Sequence, residues 1–147
     1  MRKLKNSKGF TLMEMLIVVA IIAVLVAVMI PVMNNSLEKS RDTATVANLR
    51  TAYAEAQVAY LTEDKTNDDV TITYNTTEGK TGSIASIAVA NVKAMGKNAG
   101  FSNVETNLPF TTAGLTDMES KAGTYTVTFN YGEDGKITSV DCTKTSK

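Results

Sequence analysis

The feature that most constrains this chain is an uninterrupted apolar run near its amino end. No side chain between Met15 and Met33 is charged or strongly polar. A helix rises about 1.5 Å per residue, so the segment from Phe10 to Met33 is long enough to cross a hydrocarbon core of ~30 Å. The sequence therefore predicts a helix that inserts into a membrane.

The charges before the apolar run predict its orientation. Arg2, Lys3, Lys5 and Lys8 lie in the first nine residues, which contain no acidic side chain. Basic residues are retained on the cytoplasmic side, so the remainder of the chain is expected outside the membrane. The formal net charge of +0 hides this asymmetry, because the rest of the chain is net acidic. Net negative charge after residue 9 argues against nucleic acid as the main partner.

The composition excludes several kinds of catalysis. The chain has 0 histidines and 1 cysteine, Cys142. Histidine-based triads, imidazole metal ligands, an intrachain disulfide and a thiolate zinc cage are therefore excluded. The acidic residues at 63–69 and 133–141 do not match the spacing of a calcium-binding EF-hand loop and are typical of solvated loops. We predict no enzymatic activity, no bound metal and no cofactor, and we expect Cys142 to be a small, half-buried side chain.

The start of the apolar run carries an ionisable residue. The sequence there is Lys8-Gly9-Phe10-Thr11-Leu12-Met13-Glu14. An acidic side chain costs roughly 2.5 to 3.5 kcal/mol at the bilayer centre and less near the interface, so the carboxylate of Glu14 requires a cationic partner. Alternatively, Glu14 lies at the headgroup level as an acid favoured by the helix dipole. Residues 30–34 lack the small-x-small pattern of a conventional signal-peptidase site.

These residues resemble the class III leader of type IV pilins and pseudopilins, over about residues 8–35. The resemblance implies that a membrane peptidase cuts between Gly9 and Phe10 and then methylates the new amino terminus of Phe10. It implies that Glu14 pairs with the charged Phe10 amino group of a neighbouring subunit. Pro31 matches the helix-breaking proline near which helices of this family extend within the fibre.

The helical pattern continues beyond the apolar run. Apolar side chains recur at spacings of three and four residues, which predicts one helix from about Phe10 to Leu61 with an amphipathic second half. Glu38 and Asp42 fall on the side of the apolar stripe, so we expect the helix to dock on a head only after Asp42. The stripe contains Val46, Leu49, Tyr53, Ala56 and Tyr60.

The remaining residues predict a small head built on that helix. Alternating residues at 70–74 predict a strand, and those at 124–131 and 137–142 predict a hairpin around the Gly132–Gly135 turn. Ser83 is expected to cap a helix that extends to Gly96. The pattern of residues 100–116 predicts a loop. The predicted fold class is α+β, with a long amino-terminal helix packed on a small antiparallel sheet.

We thus predict a removable cytoplasmic leader over residues 1–9, a transmembrane or fibre-core helix over 10–34, and a head over 35–147. The resemblance implies a structural subunit of an extracellular type IV pilus, which serves adhesion, twitching motility or DNA uptake. Before assembly, the chain would be a single-pass membrane protein. Its partners would be other pilins in a helical fibre, the prepilin peptidase and methyltransferase, and the assembly platform and motor.

Two alternatives remain open at this point. One is a pseudopilin of a type II secretion or competence system. The other is a single-pass, membrane-anchored extracellular binding domain, which would retain the Gly9–Phe10 bond.

Overall fold

The computed structural model of the chain describes residues 9–79, 81–96, 101 and 107–145. Its first element is helix α1, Leu12–Thr62. The chain divides into two compact units, one ending at Ser36 and the other beginning at Leu37. Helix α1 contributes residues to both units, and each unit is described by itself.

In the first unit, α1 is apolar and exposed on all sides. Every described side chain from Gly9 to Ser36 is exposed within the chain. The helix is long and apolar enough to cross a membrane by length and composition. It continues through Pro31 without interruption. Because proline has no N–H, Pro31 cannot donate to the carbonyl of Ala27, and local loosening of the helix there remains a prediction.

The second unit contains a four-stranded antiparallel sheet in the order β1-β2-β3-β4. The strands are β1 (Val70–Tyr74), β2 (Ile84–Ala94), β3 (Gly123–Tyr131) and β4 (Ile137–Lys144), and a short helix α2 (Thr116–Ser120) precedes β3. The predicted first strand and the predicted hairpin are confirmed. The α+β class, with a long amino-terminal helix packed on a small antiparallel sheet, is also confirmed.

The helix predicted between Ser83 and Gly96 is wrong, because this segment is strand β2. Ile87, Val89, Val92 and Ala94 are buried, so the spacing of the inward side chains is two, three and two residues. A β-bulge between Val89 and Val92 adds the extra residue, and Asn91 within it has a φ of 60°. The bulge breaks the alternation of the strand and leaves apolar residues at spacings that resemble a helix.

The second half of α1 packs on one face of this sheet. Val46, Leu49 and Ala56 are buried as the stripe predicted, while Tyr53 and Tyr60 are partly buried against the core. The rings of Tyr60 and Tyr131 stack with centroids 4.5 Å apart. The sheet contributes most of the other large buried side chains, Ile87, Val89, Tyr125, Val127, Phe129 and Val140, and Leu115 and Met118 at α2 are also fully buried.

The docked face begins at Asp42 itself, which corrects the prediction that docking starts only after this residue. Asp42 is 1% exposed, and its Oδ2 atom has no hydrogen-bond partner among the described residues. A side chain on Gly96 would collide with the Oδ1 atom of Asp42, so the absence of a side chain there makes room for the carboxyl group. Burial, followed by the charge of Glu38, raises the pKa of Asp42 above its usual range.

Candidate assembly site at the start of the apolar helix

The Gly9–Phe10 bond lies just before α1 in an exposed part of the chain. A side chain built on Gly9 would have no atom within 4 Å, and Phe10 is 79% exposed. The first helical residue is Leu12. The bond predicted to be cut is therefore outside regular secondary structure and is not covered by the described residues.

Thr11 and Glu14 form a reciprocal cap at the first turn of α1. The backbone N–H and the hydroxyl of Thr11 both donate to Oε2 of Glu14, at 2.8 Å each. In return, the backbone N–H of Glu14 donates to Oγ1 of Thr11 at 3.3 Å. This is a capping box, in which two residues three positions apart satisfy amide groups that have no partner within the helix.

The capping box gives Glu14 a role within its own helix. Its carboxylate lies in the first turn, where the helix dipole favours negative charge. The interaction with the helix dipole was one of the two alternatives predicted for Glu14, but the capping role of Thr11 was missed, although a threonine followed three residues later by a glutamate was the available signal. No contact in the single chain tests the pairing of Glu14 with the Phe10 amino group of another subunit, and that role stays a prediction.

The described residues offer little metal or thiol chemistry. They contain no group of three or more His, Cys, Asp or Glu side chains that could hold a metal ion. Cys142 is half-buried, as predicted, and its Sγ atom lies 3.5 Å from the carbonyl oxygen of Gly114. Burial raises the pKa of this thiol, which reduces its reactivity as a thiolate.

The amino-terminal segment matches a known family model. Residues 4–30 match the prokaryotic N-terminal methylation motif, which is the class III prepilin leader. No curated protein matches the chain, and no solved structure matches it. The motif supports a type IV pilin or pseudopilin, a structural class that is usually not enzymatic. Together with the apolar helix, it supports a membrane-anchored pilin precursor.

Proposed function

We propose that this protein is the structural subunit of an extracellular type IV pilus. One observation carries the proposal: the methylation motif at residues 4–30 includes the start of α1, whose apolar side chains are exposed on every side as far as Met33. Such a surface is stable in a bilayer before assembly, and in the core of a helical fibre after assembly.

The proposed maturation begins with hydrolysis of the peptide bond between Gly9 and Phe10. The peptidase acts at the cytoplasmic end of the helix and removes residues 1–9, and the free amino group of Phe10 is then methylated. The methylated amine remains a cation, so maturation creates a positive charge close to Glu14 in sequence. Residues 10–34 then form the membrane anchor and later the fibre core, and residues 35–147 form the head outside.

We further propose that assembly exchanges the partners of the Glu14 carboxylate. In the single chain, that carboxylate accepts two hydrogen bonds from Thr11. In a bundle of helices, the Phe10 amino group of a neighbour supplies an opposite charge, which offsets the burial of the carboxylate and fixes the axial position of the neighbour. Retention of one capping bond is compatible with this pairing, because a carboxylate oxygen accepts more than one hydrogen bond.

A pseudopilin of a secretion or competence system is the alternative within the same class. The amino-terminal motif is common to both, and the described head residues contain no metal-binding cluster that would favour one of them. A membrane-anchored binding domain is the alternative from another class. It predicts an intact Gly9–Phe10 bond in the mature protein.

Two substitutions at Glu14 test its role in assembly. Glu14→Gln retains an amide oxygen that can accept the capping bonds but removes the charge, whereas Glu14→Val removes both. If Glu14 pairs with a neighbouring amine, both variants should remain in the membrane and form few or no fibres. Electron microscopy of sheared material and a blot of the membrane fraction measure the two properties separately.

The two variants also distinguish charge pairing from capping. Normal fibres from Glu14→Gln together with loss of fibres from Glu14→Val would assign Glu14 to the helix cap alone. Normal fibres from both variants would refute any assembly role for Glu14. Loss of either variant from the membrane would indicate an insertion defect instead.

A further inference from the structure

An apolar groove runs beside the last turns of α1 in the head. It has a volume of about 270 Å³, and its apolar lining includes Ala54, Val58, Ala59 and Val70. Beside it, Val58 and Leu61 expose 59% and 80% of their surface. An exposed apolar concavity next to exposed aliphatic side chains is typical of an interaction surface.

The charged side chains that line this groove are acidic. Glu55 and Asp64 line it, and Glu63, Asp68 and Asp69 lie in the exposed segment that follows α1. Asp64 accepts a hydrogen bond from the backbone N–H of Thr66, which lowers the pKa of Asp64 and keeps it ionised. The groove therefore fits an aliphatic side chain accompanied by positive charge.

The opposite end of the head's part of α1 combines an exposed aliphatic side chain with positive charge. Leu37 is 48% exposed, and Arg41 lies one helical turn further along the same face. Lys39 is exposed, while Arg41 contacts Glu38 at 3.2 Å and retains further guanidinium N–H donors. Glu38 offsets part of this positive charge, while the neighbouring acid Asp42 is buried in the docked face.

We propose that the Leu37 end of α1 in one copy docks into the groove at the Val58 end of α1 in a second copy. In this contact, Leu37 packs against Val58, and Arg41, one helical turn further along, faces Asp64 on the acidic rim of the groove. The interface rests on the proposed function, because anchorage in one membrane sets the copies parallel to each other.

The two surfaces belong to opposite ends of one helix segment, which determines the kind of assembly they form. Leu37 and Val58 are 21 residues apart in sequence, so at about 1.5 Å per residue they are ~32 Å apart along the helix and cannot meet within one copy. Each copy has one groove, at the Val58 end of the segment, and one end that docks into such a groove, at Leu37. A head-to-tail contact of this kind repeats without closing and generates a filament, with neighbours offset by about that distance.

Engineered cysteines test the contact in the full chain on cells. Leu37→Cys and Val58→Cys are combined in a Cys142→Ser background, and a thiol oxidant accepts the two electrons and two protons released when a disulfide forms between copies. We expect a ladder of dimers, trimers and larger species on a non-reducing gel, which collapses on reduction. Either cysteine alone should give monomers.

Several outcomes would overturn the interface. Fibres that contain both cysteines but yield only monomers would refute it, as would equal dimer formation by either single variant, which would indicate a symmetric contact. Absence of fibres from both the unaltered chain and the Cys142→Ser parent would instead refute the proposed function, and the interface with it.

Charge exchange provides an independent test. Arg41→Glu and Asp64→Arg should each reduce the fibre yield several-fold, and their combination should restore it. Lys136→Glu is the control, because it also replaces the cation of an ion pair within the head, with Asp134, and it should leave the yield unchanged. Failure of the combined variant to recover fibres, while the reduced yields persist, would contradict the proposed charge pairing.

Discussion

The buried carboxyl group of Asp42 makes the stability of the head depend on pH in an unusual direction. Its Oδ2 atom is buried and has no hydrogen-bond partner among the described residues. Leaving a buried polar group unsatisfied costs about 1–3 kcal/mol. Asp42→Asn keeps a polar atom at this position and nearly the same volume but removes the charge, whose burial costs more than that of a neutral group, so we expect the free energy of unfolding to rise by about 1 kcal/mol at pH 7.

The sign of the pH effect follows from the direction of the pKa shift. The folded pKa of Asp42 is raised above its usual value, so the folded state binds the proton more readily than the unfolded state. Asp42 therefore destabilises the head above its raised pKa, and this cost falls as the pH decreases toward the unfolded value near ~4. The advantage of Asp42→Asn should shrink over that interval. Asp64 and Asp134, whose pKa values are lowered, favour the opposite trend.

Thermal unfolding of the full chain in detergent micelles, followed by near-ultraviolet circular dichroism between pH 4 and pH 7, measures this difference. A gain of about 1 kcal/mol corresponds to a rise in Tm of about 4 °C for a unit of this size. Asp68→Asn, in an exposed loop, is the matched control and should change little. A clear loss of stability for Asp42→Asn at pH 7 would show that the carboxylate is ionised and paired, and would refute this reasoning.

Three further substitutions test particular contacts. The hydroxyl of Thr45 accepts a hydrogen bond of 2.9 Å from the backbone N–H of Met95, so Thr45→Val should lower the free energy of unfolding by about 1–3 kcal/mol in the same thermal assay. Gly114→Ala should destabilise the head by about 1–3 kcal/mol, because the new methyl group would collide with the carbonyl oxygen of Val140, and hydrogen exchange along β4 should accelerate. Thr11→Val should increase amide exchange in the first turn of α1, whereas Thr11→Ser should preserve the cap.

Local patterns predicted much of the fold. The apolar run has no polar interruption, while the amphipathic stripe through Leu49 and the alternation around Phe129 each follow one regular period, and all three became the predicted elements. The segment 84–94 was predicted to be a helix because the bulge at Asn91 interrupts the alternation of inward and outward side chains along the strand. Its pairing with β1 and β3 is a tertiary feature that the spacing of its own residues does not contain.

The environment of Asp42 depended on residues far away in sequence. Its carboxyl group fits in the docked face because Gly96, which lies beyond the end of β2, has no side chain. A charged residue on an apolar stripe is normally read as a boundary of docking, since burying an unpaired charge is costly. At the amino end, by contrast, Thr11 and Glu14 interact within one helical turn, so their spacing alone contained the signal for the cap, although the cap was not predicted.

The mature amino terminus tests the central claim most directly. Fibre material sheared from cells is analysed by intact mass spectrometry and amino-terminal sequencing. We expect a chain that begins at Phe10, carries a methyl group on its amino nitrogen, and lacks residues 1–9. A protein that begins at Met1, with the Gly9–Phe10 bond intact, would contradict this account and favour a permanently anchored membrane protein.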